Sequence, residues 1–293
     1  MILVTTPTGD IGSRVLAHVL DAGQSVRVVA RDPSKLPGDV RSRVEIVEGS
    51  HSDAATIERA LDGASAVFWL PPGDPTARSA HDGYVEFSRP FTDALPSSGV
   101  GHVVGVSALG RGWPKPAGLV TASIAMDDMI GASGVAYRAL ACASLMDNVL
   151  RQADLIRDQG VFYAPQPGDL ELPLVAKSDV ARIAAGLLVD PDWRGVEDVP
   201  LFGPEDVSHD EMAAIMANVL GKPVRFEAMP MAAFEGMLAS LGTSEGMVRD
   251  YAAMFAAKNE GMDAMTAPAT REDTPTTFRR WCERELRPAV AAA

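Results

Sequence analysis

A chain of 293 residues, 47% hydrophobic and 22% charged, has the size and composition of a packed globular protein with one large domain or two modest ones. That composition excludes a disordered chain, a collagen and a coiled coil. Acidic residues outnumber basic ones 39 to 26, a formal charge of −13, and the arginines are scattered, so neither a nucleic-acid surface nor an anionic-membrane surface is expected.

The first 140 residues alternate short apolar runs with helical spacing. Met1 to Thr5 reads as a strand, followed by a helix over Ile11 to Ala22 in which Ile11, Val15, Leu16, Val19 and Leu20 share a face. Further strands are predicted at Val26 to Ala30, Val44 to Val47, Ala66 to Leu70, Val103 to Val106 and Val135 to Leu140. Helices are predicted between them near Asp53–Leu61, Ala80–Leu95 and Ser123–Ala132. Nearly continuous apolar strands alternating with helices predict an α/β fold with a doubly wound parallel sheet covered on both faces.

Beyond residue 150 the helices lengthen. They are predicted at Ser178–Val189, at Ser208–Leu220 behind a Ser208/Glu211 capping box, at Pro230–Leu241 and at Thr243–Lys258. Thr274-Pro275 reads as an N-cap and first helical residue of a last helix ending near Leu286. Short strands are expected at Glu197–Phe202 and Pro223–Ala228. The expected division is a dinucleotide-binding domain over 1–150 and a smaller, mostly helical substrate-binding region over 151–293 that partly returns to the first sheet.

Two cysteines, Cys142 and Cys282, offer no disulfide framework, and the five histidines never stand at metal-ligand spacing, so no metal is expected. The start has no basic segment before its short apolar run, and no run of about 18 apolar residues exists. A cytoplasmic protein without a membrane span is the expectation.

The most informative segment is Thr6-Pro7-Thr8-Gly9-Asp10-Ile11-Gly12, between the first strand and the first helix. N–H groups and the dipole at a helix start can hold a pyrophosphate. Thr6, Thr8, Gly9, Asp10, Ile11 and Gly12 are the candidate phosphate loop. Arg31 closes the second strand and Lys35 follows one turn later, and an arginine at that position accommodates a 2′-phosphate. NADP(H) is therefore expected over NAD(H). Asp32 is the counter-argument, because an acid there would bond a ribose 2′-hydroxyl, although Asp32-Pro33 reads equally as a helix cap.

The chain resembles the NmrA-like group of atypical short-chain dehydrogenases/reductases. The family loop, commonly TGATGxxG, appears as Thr5-Thr6-Pro7-Thr8-Gly9-Asp10-Ile11-Gly12, with Thr6 in place of the first glycine. A β-branched residue resists positive φ, so an altered turn and weaker cofactor binding are expected. Arg31-Asp32-Pro33-Ser34-Lys35, Gly49-Ser50-His51-Ser52-Asp53, Ser178-Asp179-Val180-Ala181, Phe202-Gly203-Pro204-Glu205 and Thr274-Pro275-Thr276-Thr277-Phe278 are similar to family segments in the same order. The resemblance implies that His51, Ser52, Leu70, Pro71 and Pro72 border the cofactor and that Asn148 faces substrate.

The Y-x-x-x-K dyad of short-chain reductases is absent: four residues after each tyrosine stand Ser88, Ala141, Pro167 and Phe255. The position at which relatives often keep a lysine is Ser123, and Lys115 lies in a nearby proline-rich loop. Ser107 follows the fifth strand, where such enzymes place a carbonyl-polarising serine. Ser107, Ser123 and Tyr137 are the candidate catalytic residues; Asp127 and Asp128 are open to an acid/base role, with a helix surface as the favoured reading. The reading is an NADPH-dependent oxidoreductase of a small carbonyl, quinone or unsaturated compound. The alternatives are a non-catalytic NADP(H) sensor and a cyclase or isomerase on the same fold. A homodimer or a regulatory protein partner is compatible with either binding role.

Overall fold

The computed structural model describes residues 1–190, 192–266 and 271–291. The chain runs β1 (Ile2–Val4), α1 (Asp10–Asp21), β2 (Val26–Ala30), α2 (Gly38–Arg41), β3 (Glu45–Glu48), α3 (Ala54–Leu61), β4 (Ala66–Trp69), α4 (Phe87–Ser98), β5 (His102–Ala108), α5 (Leu119–Gly131) and β6 (Ala136–Cys142). It continues through β7 (Ser144–Leu145), α6 (Ala153–Gln159), β8 (Val161–Ala164), β9 (Leu172–Val175), α7 (Lys177–Val189), β10 (Val196–Leu201), β11 (Asp206–Val207) and α8 (His209–Leu220). The last elements are β12 (Arg225–Ala228), α9 (Met231–Ser240), α10 (Glu245–Asn259), α11 (Phe278–Trp281) and α12 (Arg287–Ala291).

Contacts divide the chain into two compact units. The first comprises Met1–Ala108, Leu119–Ala141 and Val180–Val199, and the second Leu109–Gly118, Cys142–Asp179 and Pro200–Ala293. The first unit is built on a seven-stranded sheet in the order β10-β6-β5-β4-β1-β2-β3. β1 pairs in parallel with β2 and β4, β2 with β3, and β4 with β5. The order reverses beside β1, so a doubly wound sheet carries its ligand crevice at the carboxyl ends of these strands. β1, β2 and β4 are buried along their whole length, which explains the unbroken apolar runs of β1 and β4; in β2 the charged residue Arg27 is buried and donates to Glu45 Oε1 at 2.9 Å. The core includes Leu3, Val29, Ile57, Val67, Trp69, Phe91, Val103 and Tyr137. Trp69 stacks on Phe91 with centroids 3.9 Å apart, and its indole N–H donates to Ser88 Oγ at 3.0 Å.

Prolines shape two helices. Pro90 lies inside α4 and lacks the N–H that would bond the carbonyl of Glu86, and a wide π-type turn over Asp82–Glu86 precedes the helix. Pro288 lies in α12 and lacks the N–H that would bond the carbonyl of Arg284, inside a second wide turn, Cys282–Leu286.

The second unit holds a three-stranded sheet, β11-β9-β7, and a parallel pair, β12 with β8. Its core gathers Met146, Ile156, Phe162, Leu174, Met216, Phe278 and Trp281. The Ser208/Glu211 capping box opens α8 as the sequence predicts. The last helix differs from expectation. Thr274 does not cap it: its hydroxyl donates to the carbonyl of Phe202, and the N–H of Thr276 donates to Asp179 Oδ2 at 3.0 Å. These bonds hold the Thr-Pro-Thr segment out of the helix, and Thr277 caps α11 through the N–H of Arg280.

Among the described residues no helix is long and apolar enough to cross a membrane, and no group of three or more His, Cys, Asp or Glu is placed to hold a metal ion.

Candidate active site

The turn after β1 carries the strain of the site. Thr6 has φ of 49°, the one positive φ among described non-glycine residues. The expectation that a β-branched residue would refuse this conformation fails, because the surroundings over-determine it. The N–H of Thr6 donates to His51 Nε2 at 2.9 Å, and its carbonyl accepts from the N–H of Gly9 at 2.9 Å. Thr5 Oγ1 accepts from the N–H of Leu70 at 3.0 Å and donates to the carbonyl of Phe68 at 2.9 Å, tying the turn to the end of β4. Gly12 sits directly beneath: a Cβ there would lie 2.8 Å from the carbonyl carbon of Thr6 and closer still to its oxygen.

α1 begins at Asp10 with Gly9 as a cap that offers no side-chain acceptor. The N–H groups of Ile11 and Gly12 precede the first intrahelical bond, which Ser13 makes to Gly9, so the helix start is open to an anion. Thr6 Oγ1 is buried and has no hydrogen-bond partner. An orphaned hydroxyl beside a helix N-terminus and a close-packed glycine fit a dinucleotide pyrophosphate, for which a hydroxyl is a ready donor. Thr6→Gly should therefore relieve the positive-φ strain and the buried hydroxyl, raising apo stability by about 1–2 kcal/mol. Thermal melts of the two proteins check this. Cofactor affinity should fall in the same variant.

His51 is buried against Trp69 and Phe87. Burial first, and then the charge of Arg31, lower its pKa to about 4. Accepting at Nε2 requires the neutral ring with its proton on Nδ1. A folded pKa below the free value of 6.5 means that stability is complete above pH 6.5. It is then lost as pH falls toward 4, by up to about 3 kcal/mol. Denaturant titrations at pH 7 and pH 5 should show this loss in the wild type and a smaller one in His51→Gln.

Arg31 and Lys35 are exposed beyond β2. Asp32 caps the turn Pro33–Lys35: its Oδ1 accepts from the N–H of Ser34 at 3.0 Å and from Ser34 Oγ at 2.6 Å. These bonds hold its carboxyl below the usual range. Asp53, next to exposed Ser52, likewise caps α3 through Thr56. Thr8 and Asp10 are exposed on the loop, Ile11 and Gly12 are buried, and Pro71 is buried between half-buried Leu70 and Pro72.

Ser107, Ser123 and Tyr137 come together around a residue the sequence reading had put on a surface. Asp127 is 2% exposed and lies on the buried face of α5 with Val120, Ser123 and Ile130. Its Oδ2 accepts from Ser107 Oγ, and its Oδ1 accepts from the Tyr137 hydroxyl at 2.6 Å. Ser107 Oγ lies 3.2 Å from Ser123 Oγ. Gly105 makes room for the tyrosine, since a Cβ there would stand 3.0 Å from Tyr137 Cζ. The four-residue offset of Asp127 from Ser123, within an apolar helical pattern, was the available signal. Asp128 is exposed on the same helix.

Lys115 belongs to the second unit. It pairs there with Glu260, and its ammonium lies 5.9 Å from the Trp113 ring centroid. Asn148, also in that unit, is exposed in the helical turn Met146–Gln152, while its neighbour Asp147 is buried.

A family model described as NAD(P)H-binding matches residues 7–191. The (4-alkanoyl-5-oxo-2,5-dihydrofuran-3-yl)methyl phosphate reductase of Streptomyces griseus is 34% identical over 231 residues, 78% of this chain and 77% of that one. The NAD(P)H azoreductase of Xenophilus azovorans is 26% identical over 247 residues, 84% of this chain and 83% of its own. The solved structure of the NADPH-dependent quinone oxidoreductase of Escherichia coli, complexed with NADPH, shares the fold. Its TM-score is 0.80 at 21% identity, covering 100% of this chain and 99% of that one. With the strained turn after β1, the open start of α1 and the strand order of the sheet, these matches show that the chain belongs to the NAD(P)H-binding family of atypical, NmrA-like short-chain dehydrogenases/reductases.

Proposed function

We propose that this protein is an NADPH-dependent reductase of a small carbonyl, quinone or unsaturated compound. The observation that carries the reading is the Thr6–Gly12 turn, with its orphaned hydroxyl and open helix start. In this reading the backbone N–H groups of the loop and Thr6 Oγ1 hold the pyrophosphate, and Pro71 and Pro72 stiffen the wall beside it. Arg31 and Lys35 meet the 2′-phosphate, whereas Asp32 is engaged by Ser34 rather than presented to a ribose 2′-hydroxyl. When bound, a reduced nicotinamide supplies a hydride to the acceptor. The chain's own contribution is position: a rigid turn, a fixed β4 edge and the Ser107 group at the end of β5. The similarity to reductases of an unsaturated lactone and of azo compounds supports an electron-poor acceptor.

Calorimetric titration with NADPH, NADP, NADH and NAD tests the cofactor assignment. NADPH should bind about tenfold or more tightly than NADH, and Arg31→Ala should remove most of that difference. Equal binding of all four nucleotides by the wild type contradicts it.

A second reading, a sensor of NADP(H) without turnover, draws on Ser123 standing where relatives often keep a lysine. It predicts nucleotide binding with no oxidation of NADPH by any acceptor.

A further inference from the structure

With Asp127 taken as a carboxylate, which only accepts, the directions of the hydroxyl hydrogens around it follow from counting. Ser107 has one hydrogen, and it goes to Asp127 Oδ2. Ser123 Oγ, 3.2 Å from Ser107 Oγ, must then be the donor in that contact. Tyr137 gives its hydrogen to Asp127 Oδ1. The chain of donation is therefore Ser123 to Ser107 to Asp127, with Tyr137 arriving from the core side.

Ser107 is the penultimate residue of β5. β5 runs parallel to β4, and β4 to β1, in registers that align Gly105 with Trp69 and Phe68 with Val4. Ser107 thus stands at the same end of the sheet as the Thr6 turn and Leu70, the end at which doubly wound sheets bind ligands. What it can offer there is a lone pair, because its hydrogen is committed inward. We infer that Ser107, oriented by Asp127, is a hydrogen-bond acceptor for a donor on the nicotinamide half of the cofactor, an amide N–H or a ribose hydroxyl. It is not a donor that polarises a substrate carbonyl. Asp127 is the positioning residue, acting through Ser107.

This inference rests on the cofactor reading above and has a consequence for the substrate. A Ser107 whose hydrogen is committed to Asp127 gives no proton to the reduced product. Acceptors whose reduced form is a stabilised anion, such as a quinone or a conjugated enone, suit it, whereas a simple ketone that would pass through an alkoxide does not.

Asp127→Asn tests the polarity with little change of shape. An amide has one acceptor and one donor end, so one of the two hydroxyls it faces must turn its hydrogen away. With the amide N–H₂ turned toward Ser107, that serine accepts from it and its own hydrogen swings into the crevice. Calorimetry on the apo protein should show NADPH binding weakened about tenfold in Asp127→Asn and in Ser107→Ala. Adenosine 2′,5′-bisphosphate, which lacks the nicotinamide half, should bind all variants as it binds the wild type. In the Ser107→Ala background, Asp127→Asn should add no further loss. Should Asp127→Asn fail to fold, Ser107→Ala with the two probes carries the test.

Unchanged NADPH binding in Ser107→Ala overturns the inference, as does an equal loss for both probes. A wild type that binds the bisphosphate and NADPH equally well also overturns it, while leaving the 2′-phosphate site standing. A wild type that binds neither probe overturns the cofactor reading itself.

Discussion

Gly12→Ala is expected to abolish nucleotide binding, a loss of at least about a hundredfold. The added carbon would stand 2.8 Å from the carbonyl carbon and inside contact distance of the oxygen of Thr6, and 3.0 Å from the oxygen of Thr5. Backbone on both sides of β1's end cannot yield without moving α1 off the strand. Retreat of α1 would break the bond from the Gly9 N–H to Thr6 and shift the N–H groups that would face a phosphate. The variant should also be destabilised by about 1–3 kcal/mol. Calorimetry with NADPH and a urea titration measure the two effects separately. Binding within a few-fold of the wild type would show that the turn does not hold the cofactor.

That glycine was legible in the sequence because its role is local: a strand, a short loop and a helix start within twelve residues. The sheet was legible for a similar reason. β1 and β4 are buried on both faces and therefore read as continuous apolar runs, as does β2 apart from Arg27. Thr6 was misjudged because intrinsic preference was the only information at hand. The bond from its N–H to His51, 45 residues away, has no local trace. Asp127 was misplaced for a related reason: a carboxylate on a helix is usually solvated, and the hydroxyls that satisfy this one come from β5 and β6. The last helix began three residues late because Thr274 and Thr276 bond to Phe202 and Asp179, partners that spacing cannot reveal.

The second large effect lies in the second unit and would have been missed in any search for a catalytic lysine. Lys258, on α10, is 8% exposed and pairs with Asp263, itself 3% exposed, at 2.6 Å. Its ammonium also donates to Ser144 Oγ at 3.3 Å. Removing one partner of a buried pair leaves an uncompensated charge, and Asp263→Ala should cost about 3–5 kcal/mol in urea unfolding. Lys258→Met together with Asp263→Leu should recover most of that loss, because the desolvation penalty disappears with both charges. A loss below about 1 kcal/mol for Asp263→Ala would mean that water reaches the pair. Three lysines of this unit have visible structural duties: Lys258 in this pair, Lys115 on Glu260, and Lys222 on the carbonyls of Ile156 and Arg157.

The proposed site combines the Thr6–Gly12 turn, exposed Arg31 and Lys35 beyond β2 and the hydroxyls organised around Asp127. The activity proposed for it is hydride transfer from NADPH. The direct measurement is the fall of NADPH absorbance on mixing the protein with a panel of quinones, conjugated enones and simple ketones. Saturable oxidation with the quinones or enones, little with the ketones, and a raised KM for NADPH in Arg31→Ala are the predicted results. Tight NADPH binding with no oxidation by any member of the panel would contradict the reductase and leave a nucleotide-binding protein in its place.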